Sequence, residues 1–474
     1  MRPASASASA AAAASCKVVW VRPAAANAAS PFTGGLGAAA RGDLVTWDRA
    51  VRQLAKRLAF ANPAFALEDC VLGAEGWQAA VAKADLVVGG DLGTAAAELR
   101  AAAAAVPNVI FVGSAAPPPK LGGREAGGGP VDRILALLPF TDQAKAAALR
   151  KALETFRERS SPDDVLFALL SVINEFVAEV PEVQVKRALD PASFYSMVSN
   201  CFAEIQACVS DPECKAALDC LDACDDRDQV GQYQCIVSYE TPLLEDFSLC
   251  ILQKNNCLSN SAAIPERPVV PPLDAWRGEP MSHDLAEQIF CGVLGDGPGK
   301  EQWSWRVVAG QNPAYDFFPN QYQIFYREKG RKRFWYDPVF QVETLDGRKV
   351  WRRRHYSVNR RKTPGTFTFQ VLDNGVISRE YWTIVACDEA LDWALFYYAG
   401  AASAAGLSYS GAILASPDGR WPGPEHDAGI AEALAKASIE PWELFDVKNS
   451  PDAAGAPLET ELDYEVVEVV SRAR

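Results

Sequence analysis

The second half of the chain alternates apolar and polar residues with a period of two. Such runs cover residues 303–308, 321–327, 335–344, 349–358, 365–372, 378–387 and 391–398, and a further apolar run covers 411–415. Successive side chains of a strand point to opposite faces, so the runs predict about eight half-buried strands. Turn sequences such as Leu345-Asp346-Gly347 and Asp373-Asn374-Gly375 predict hairpins between neighbours. The pattern therefore predicts an antiparallel up-and-down β-barrel, which can enclose one small apolar ligand, followed by a helix over residues 427–436.

The first half shows helical spacing instead, with two short apolar runs. Residues 44–60 repeat apolar side chains at the period of an amphipathic helix. Residues 85–90 and 108–113 are predicted as strands on either side of a helix over 94–105, which gives a small βαβ unit. Further helices are predicted over residues 141–159 and from the Ser161-Pro162 start to Pro181. The glycine-rich turn at 89–93 could hold a phosphate, but a plain tight turn is favoured because its spacing matches no phosphate-binding motif.

Two stretches rich in Pro, at 117–140 and 265–300, are predicted to be linkers. We therefore expect a multi-domain chain, with a lipocalin-like β-barrel preceded by a disulfide-rich α-helical module and a small N-terminal α/β region. The predicted segments are a low-complexity start (1–43), the α/β region (44–116), a linker (117–140), a helical region (141–200), the cysteine-rich module (201–264), a linker (265–300), the barrel with its C-terminal helix (301–447) and an acidic tail (448–474).

Charge and composition narrow the possible partners and the compartment. The net charge of −14 argues against binding nucleic acid or an anionic membrane surface. Thirteen Lys and Arg residues between Arg327 and Lys362 form a local exception, interpreted as solvated strand edges. Residues 1–43 are rich in Ala and Ser and contain no acid before Asp43, which is typical of an organelle transit peptide; a disordered tail is the alternative.

Eight of the twelve cysteines lie in one short segment. They are separated by 6, 5, 5, 3, 10, 14 and 6 residues, with no C-x2-C pair and no histidine between them: Cys201, Cys208, Cys214, Cys220, Cys224, Cys235, Cys250 and Cys257. Zinc sites prefer closely spaced cysteine pairs, often with histidine, so we expect disulfides and no metal. Cys201/Cys208 and Cys250/Cys257 each stand seven residues apart, and two antiparallel helices could bridge them twice. Disulfides imply an oxidising compartment, while their connectivity stays open.

The run C-x6-C-x5-C-x5-C-x3-C followed by C-x14-C-x6-C resembles the cysteine-rich domain of the violaxanthin de-epoxidase family, with one cysteine of the family pattern missing near Gly231. The segment WRVVAGQNPAYDFFPNQYQIF, residues 305–325, is similar to the first strand of that family's lipocalin domain. Tyr381-Trp382 and residues 396–400 and 409–412 are similar to later strands. The resemblance covers roughly residues 200–450 and is strongest to the related branch with an additional N-terminal region.

The resemblance implies a chloroplast protein, in the thylakoid lumen rather than the stroma, with peripheral membrane contact. It implies an epoxy-carotenoid ligand, ascorbate as reductant and an acid that protonates the epoxide. We assign the acid to Asp316, whose alternative role is to hold the preceding Asn-Pro turn. The implied substrate-binding residues are Asn312, Tyr315, Gln321, Tyr322, Trp382 and Tyr398. For Gln321, Tyr322 and Tyr398 a structural place in the barrel wall is the favoured alternative.

The chain also departs from the family pattern. Gln323 and Asn320 stand where the family has a histidine and a cysteine, Ala399 replaces an arginine, and the long glutamate-rich tail is reduced to a short acidic end. Two main hypotheses follow: the chain is a de-epoxidase-like oxidoreductase, or it is a catalytically silent lipocalin that binds a carotenoid or another apolar ligand. A third hypothesis gives the main function to the N-terminal βαβ and helical region, which would bind a partner protein.

Overall fold

The computed structural model describes residues 15–24, 30, 45–112, 117–125, 162–180, 191–224, 228–262, 264–295, 301–311, 317–450 and 453–465. The chain divides into two compact units. The first comprises Met1–Phe32 and Val45–Val180, and the second comprises Thr33–Leu44 and Pro181–Arg474. Among the described residues, no helix has the length and apolar character needed to cross a membrane.

The first unit is an α/β sheet with strand order β2-β1-β3-β4-β5-β6, of which β1 to β4 are parallel. Its strands are β1 Cys16–Arg22, β2 Phe65–Val71, β3 Leu86–Gly90, β4 Val109–Val112, β5 Lys120–Leu121 and β6 Arg124–Glu125. Its helices are α1 Trp47–Ala61, α2 Trp77–Val81, α3 Ala96–Ala102 and α4 Pro162–Phe176. The predicted βαβ unit is β3-α3-β4. The predicted helix over 141–159 lies outside the described residues.

Strand β1 differs from the expectation of a low-complexity segment over residues 1–43. It pairs with both β2 and β3, and Val18 to Val21 are fully buried. The cause is the short apolar sequence CKVVWVR, whose β-branched and aromatic side chains suit a parallel strand covered on both faces. Because the residues around this strand are rich in Ala and Ser, composition alone does not predict it.

The second unit begins with the cysteine-rich module, which is helical as predicted. Its helices are α5 Pro191–Ser210, α6 Pro212–Ala223, α7 Gln229–Ser238 and α8 Pro242–Ser248, and α8 continues into a π-helical turn at Leu249–Lys254. Asp211 and Thr241 cap α6 and α8, each with a proline in the first helical turn. Such caps satisfy backbone N–H groups that the helix itself leaves unpaired.

Three disulfides join six of the eight cysteines in this module: Cys201–Cys250, Cys208–Cys214 and Cys220–Cys235. Of the two bridges expected between antiparallel helices, only Cys201–Cys250 forms. Cys208 instead joins Cys214 across the turn between α5 and α6. Cys257 follows the end of the π-helical turn, so it no longer shares a helical face with Cys250, and it is buried as a thiol. Cys224 lies outside the three bridges, with its sulfur 3.5 Å from that of Cys235.

The barrel closes as predicted, with eight antiparallel strands. The order is β11-β13-β14-β15-β16-β17-β9-β10, and β10 pairs back onto β11. The eight strands of this order are β9 Trp305–Gly310, β10 Tyr322–Glu328, β11 Phe334–Glu343, β13 Tyr356–Arg360, β14 Thr366–Asp373, β15 Val376–Cys387, β16 Ala394–Ala402 and β17 Leu407–Ser416, and a further strand, β12 Lys349–Arg353, pairs with β11. The run predicted as one strand over 349–358 is two strands, β12 and β13. The strand is interrupted at Arg354 and His355, and β12 and β13 each pair with β11.

The segment 265–300, predicted to be a linker, contains regular structure packed on the barrel. It forms the hairpin β7 Ala275–Trp276 and β8 Glu279–Pro280, then helix α9 His283–Cys291. Helix α9 closes one end of the barrel, which we call the lower end. There the Trp305 ring N–H donates a hydrogen bond to the Ile289 carbonyl, and Phe290 enters the barrel core.

Some of the basic residues between Arg327 and Lys362 also differ from the solvated strand edges that were expected there. Arg327 and Arg360 both form ion pairs with Glu287 of α9, whose side chain is nearly fully buried. On the outside of the barrel, helix α10 Asp427–Lys436 packs against β15 and β16. Phe445–Asp446 forms β18, which pairs with β9, and Tyr464–Glu465 forms β19, which pairs with β10 within the segment 448–474 predicted as an acidic tail.

Candidate functional site

The inner surface of the barrel is an almost continuous set of aromatic rings. Phe325 stacks on Tyr336 with ring centres 4.4 Å apart, and Phe369 stacks on Trp382 at 4.6 Å. Phe290 of α9 fills the space among them, 5.0 Å from the ring of Phe396. The lower part of the barrel is therefore packed core, and polar groups are concentrated toward the other end.

Glu380 is the carboxylate within this aromatic surface. It lies on β15 two residues before Trp382, and both side chains point inward because they share one face of the strand. The Trp382 ring N–H donates a 2.6 Å hydrogen bond to Glu380 Oε2, and the Tyr409 hydroxyl donates a 2.8 Å bond to Oε1. Only 8% of Glu380 is exposed. Its position is thus fixed by a neighbour on its own strand and by a second residue from β17.

Burial sets the protonation behaviour of Glu380. Loss of hydration raises the pKa of its carboxyl; the hydrogen bonds from Trp382 and Tyr409 and the positive charge of Arg354 oppose this, but the net direction is upward. Burial also raises the pKa of Tyr409, and the negative charge of Glu380 adds to that effect. A carboxyl group of this kind retains a proton at a pH where an exposed glutamate is ionised.

A half-buried cation lies beyond Glu380, between the end of β12 and the start of β13. Arg354 Nε lies 2.7 Å from a carboxylate oxygen of Asp373, and its guanidinium lies over the ring of Tyr233, 4.7 Å from the ring centre. Burial raises the pKa of the neighbouring Tyr356, which also bonds to Arg354. The polar end of the barrel interior therefore contains an acid, a cation and several phenols within an aromatic wall.

The structure groups some of the predicted site residues and separates others. Trp382 and Tyr398 face the interior, with ring centres 5.6 Å apart. Gln321 is buried and donates a 2.6 Å hydrogen bond to the Phe318 carbonyl. Tyr322 lies on the outer face of the barrel against Trp303 and Trp351, because alternation along β10 points it away from the core.

Asp316, Asn312 and Tyr315 lie outside the described residues. Sequence reasoning missed Glu380 and Arg354. The signal for Glu380 was its spacing: it stands two residues before Trp382, which was already singled out as a ligand contact. The signal for Arg354 was weaker, since it stood among many basic residues interpreted as surface. Family similarity alone singles out Tyr409 in the sequence, and its hydrogen bond to Glu380 gives it a physical role.

Two groups of metal-ligating atoms occur among the described residues, and both lie outside the barrel core. One consists of Cys220, Cys224 and Cys235, and the other consists of Asp388, Asp392 and His426. The first has two of its three sulfurs joined in the Cys220–Cys235 disulfide. A separate surface cavity of about 340 Å³ near the lower end is lined by residues of both charges, including Glu301, Arg306, Asp418 and Arg420. None of these features shares a residue with the group around Glu380.

A closed eight-stranded up-and-down barrel with a helix at one end and a second helix against its outer wall defines the class as lipocalin-like. The sequence model of the family described as "VDE lipocalin domain" matches residues 193–449, more than half of the 474 residues. The chain belongs to this family. The match includes both the cysteine-rich module and the barrel.

Individual relatives are distant and match only part of their length. The chain is 24% identical over 192 residues to violaxanthin de-epoxidase of Arabidopsis thaliana, covering 40% of this chain and 37% of that protein. It is 25% identical over 137 residues to the enzyme of Nicotiana tabacum, covering 28% and 25%.

Similar solved structures include the cockroach allergen Per a 4, with 14% identity, a TM-score of 0.25, and 34% of this chain and 95% of that chain covered. They also include apocrustacyanin C1, with 12% identity, a TM-score of 0.25, and 40% and 93% covered.

Proposed function

We propose that this chain binds an epoxidised carotenoid at the polar end of the barrel and reduces its epoxide to an alkene, with Glu380 as general acid. The observation that carries the proposal is the buried carboxyl of Glu380 in an aromatic enclosure. An epoxide oxygen is a poor leaving group until it is protonated, and a carboxyl with a raised pKa can supply that proton. Ascorbate supplies two electrons, two protons are consumed, and the oxygen leaves as water.

The position of the rings supports one direction of ligand entry. Phe290 and its neighbours fill the lower part of the barrel, so an end ring of the carotenoid would enter from the polar end. It would meet Tyr398, Trp382 and Tyr409 before or beside Glu380. A long apolar ligand suits this wall because its burial is favourable, and a few polar groups suffice to fix its orientation.

The relatives and the disulfides support the proposed location. The matched enzymes are named as chloroplastic violaxanthin de-epoxidases, and the three disulfides require an oxidising compartment. We therefore infer a chloroplast protein, in the thylakoid lumen rather than the stroma. The exposed apolar side chains Phe194, Tyr195 and Phe202 of α5 support peripheral contact with the thylakoid membrane as the route of ligand supply.

A carotenoid carrier without catalytic activity is the second candidate function. The observation that favours it is the double engagement of Glu380, because the hydrogen bonds from Trp382 and Tyr409 stabilise the ionised carboxylate and so oppose the protonated form that a general acid needs. In a carrier these bonds serve to fix the wall of the site. The two functions share one ligand and differ in turnover.

The test incubates oxidised full-length protein with violaxanthin, galactolipid and ascorbate at mildly acidic pH, followed by pigment chromatography. We expect de-epoxidised product from the wild type and a loss of roughly 10²–10⁴-fold in the Glu380→Gln variant, the usual contribution of a general acid. Glu432→Gln, at an exposed glutamate of α10, is the matched control and should retain full conversion.

Asp316→Asn is included because that residue is the acid proposed from family similarity. Loss of conversion in Asp316→Asn with full conversion in Glu380→Gln would transfer the acid role to Asp316. Pigment that co-elutes with the protein but remains unchanged in every sample would instead support the carrier.

A further inference from the structure

The cysteine-rich module covers the polar end of the barrel. The hairpins β11–β12, β14–β15 and β16–β17 all lie at this end, because alternate connections of an up-and-down barrel fall on the same side. The backbone N–H of Leu345, in the first hairpin, donates a 2.9 Å bond to the Ser238 hydroxyl of α7. The backbone N–H of Ile377, just after the second hairpin, donates a 2.9 Å bond to the Gln253 side chain. Two separate hairpins are thus bound by two separate parts of the module.

The third hairpin is held by the segment that leaves the module. The Ser403 hydroxyl donates a 2.9 Å bond to the Ala262 carbonyl, and the Asn260 side chain donates a 3.4 Å bond to the Ala404 carbonyl. Arg352 at the end of β12 forms an ion pair with Glu240. The module therefore contacts all three of these connections at once and forms a roof over the barrel.

Tyr233 of α7 is the side chain of the roof that reaches into the barrel mouth. Its ring lies 5.6 Å from that of Phe318, 5.8 Å from that of Phe340 and beneath the guanidinium of Arg354. Burial raises the pKa of Tyr233, consistent with its enclosure. Because the charge of Arg354 acts on Tyr233 and on Glu380 alike, the roof residue and the buried acid belong to one electrostatic group.

We propose that the cysteine-rich module is the roof of the ligand site, that Tyr233 contacts the ligand at the mouth, and that the ligand enters when this roof lifts. The inference rests on the proposed function for the identity of the ligand, whereas the lifting of the roof is a property of the fold. The contacts suit a reversible closure. The hydrogen bonds can be replaced by water, and the apolar part is one small cluster around Tyr233, Phe318 and Phe340.

Two glycines in neighbouring hairpins provide a matched pair of variants. Both have a positive φ, 76° at Gly375 and 82° at Gly347, so alanine introduces similar backbone strain at either position. A Cβ on Gly375 would lie 2.5 Å from the Glu245 carbonyl oxygen and 2.6 Å from the Leu249 nitrogen, whereas a Cβ on Gly347 meets nothing within 4 Å. Gly375→Ala therefore pushes the roof from the barrel, and Gly347→Ala reproduces the strain alone.

The first measurement is binding of violaxanthin by stopped-flow quenching of tryptophan fluorescence. We expect Gly375→Ala to raise both the association and dissociation rates about tenfold, because a larger open population speeds entry and exit alike. Gly347→Ala should leave both rates unchanged. Tyr233→Phe should raise only the dissociation rate, several-fold, through loss of a hydroxyl contact, while Tyr239→Phe at the end of the same helix should have no effect. Equal rates for the two glycine variants would overturn the gate, and an unchanged dissociation rate in Tyr233→Phe would overturn the contact.

The second measurement separates this proposal from the proposed function, because it uses no ligand. Native-state hydrogen exchange follows the backbone amides of Leu345 and Ile377, which the roof protects. We expect both amides to exchange with one common opening free energy and to exchange faster in Gly375→Ala than in Gly347→Ala. If this holds but violaxanthin does not bind, the roof stands and the proposed ligand fails. If the two amides open independently, the roof does not lift as a unit and the proposal is refuted.

Discussion

Replacing Phe290 with alanine should destabilise the barrel by about 4 kcal/mol. Phe290 is fully buried, and its nearest ring neighbours are Phe325 at 4.6 Å, Phe396 at 5.0 Å and Phe367 at 5.1 Å. Burying a phenylalanine side chain contributes about 1.5–3 kcal/mol, and each close ring pair adds about 0.5–1.5 kcal/mol. For three ring pairs these contributions total about 3–7.5 kcal/mol, and about 4 kcal/mol falls where this total overlaps the range of about 3–5 kcal/mol observed when a core phenylalanine becomes alanine.

The assay is hydrogen exchange of amides in β14 to β16, which reports the stability of the barrel alone in a chain with two units. The slowest amides should lose about 4 kcal/mol of protection. Phe202→Ala is the control, because Phe202 is 60% exposed and surface changes alter stability by only about 0.5 kcal/mol. A loss below about 1 kcal/mol in Phe290→Ala would show that α9 does not close the core, and the assignment of the lower end would fail.

Three further predictions concern the disulfides and the buried charges. Replacing both Cys201 and Cys250 with alanine should cost roughly 4 kcal/mol in urea unfolding, since the bridge closes a loop of 49 residues; a larger loss in the wild type under reducing conditions, which open all three bridges, is the check. Glu380→Gln should gain stability over the wild type as the pH rises, because a glutamate with a raised pKa loses its stabilising contribution as pH climbs from its unfolded pKa through its folded pKa; melting temperatures at acidic and neutral pH measure this. Asp337→Asn should cost about 3 kcal/mol and lower the pKa of His355 in an NMR titration. Burial lowers that pKa, but Asp337 outweighs it and raises the pKa above the ordinary value, so the stability from this pair is complete below the unfolded pKa of histidine and is lost as pH rises through the folded one.

The strands of the barrel could be predicted because their alternation reflects one buried face, which is a local property of the sequence. The interruption between β12 and β13 could not be predicted, since the polar run Arg352-Arg353-Arg354-His355 contains no Gly, Pro, Asn or Asp to mark a turn. Tertiary contacts interrupt the strand at this point. Arg354 pairs with Asp373 on another strand, and His355 stacks on Trp335 and donates a 2.6 Å hydrogen bond from Nδ1 to Asp337.

Helix α9, in the segment 265–300 before the barrel, could not be predicted for a different reason. Its prolines indicate a linker, and α9 has only nine residues, too few for a strong helical period. Its Ser282 cap and its one deeply buried side chain, Phe290, stabilise the helix only once the barrel has formed.

The candidate site could likewise be predicted only in part. Alternation places Glu380 on the same face as Trp382, but that this face is the inside follows from closure of the sheet, and the partner Tyr409 is 29 residues distant.

The pH dependence of violaxanthin conversion by oxidised full-length protein tests the central claim most directly. We expect the wild-type rate to fall as the pH rises through a pKa above that of an ordinary glutamate, and we expect Glu380→Gln to have a low rate without that dependence. A wild-type profile that Glu380→Gln reproduces in both height and shape would contradict the assignment of the buried carboxyl as the acid.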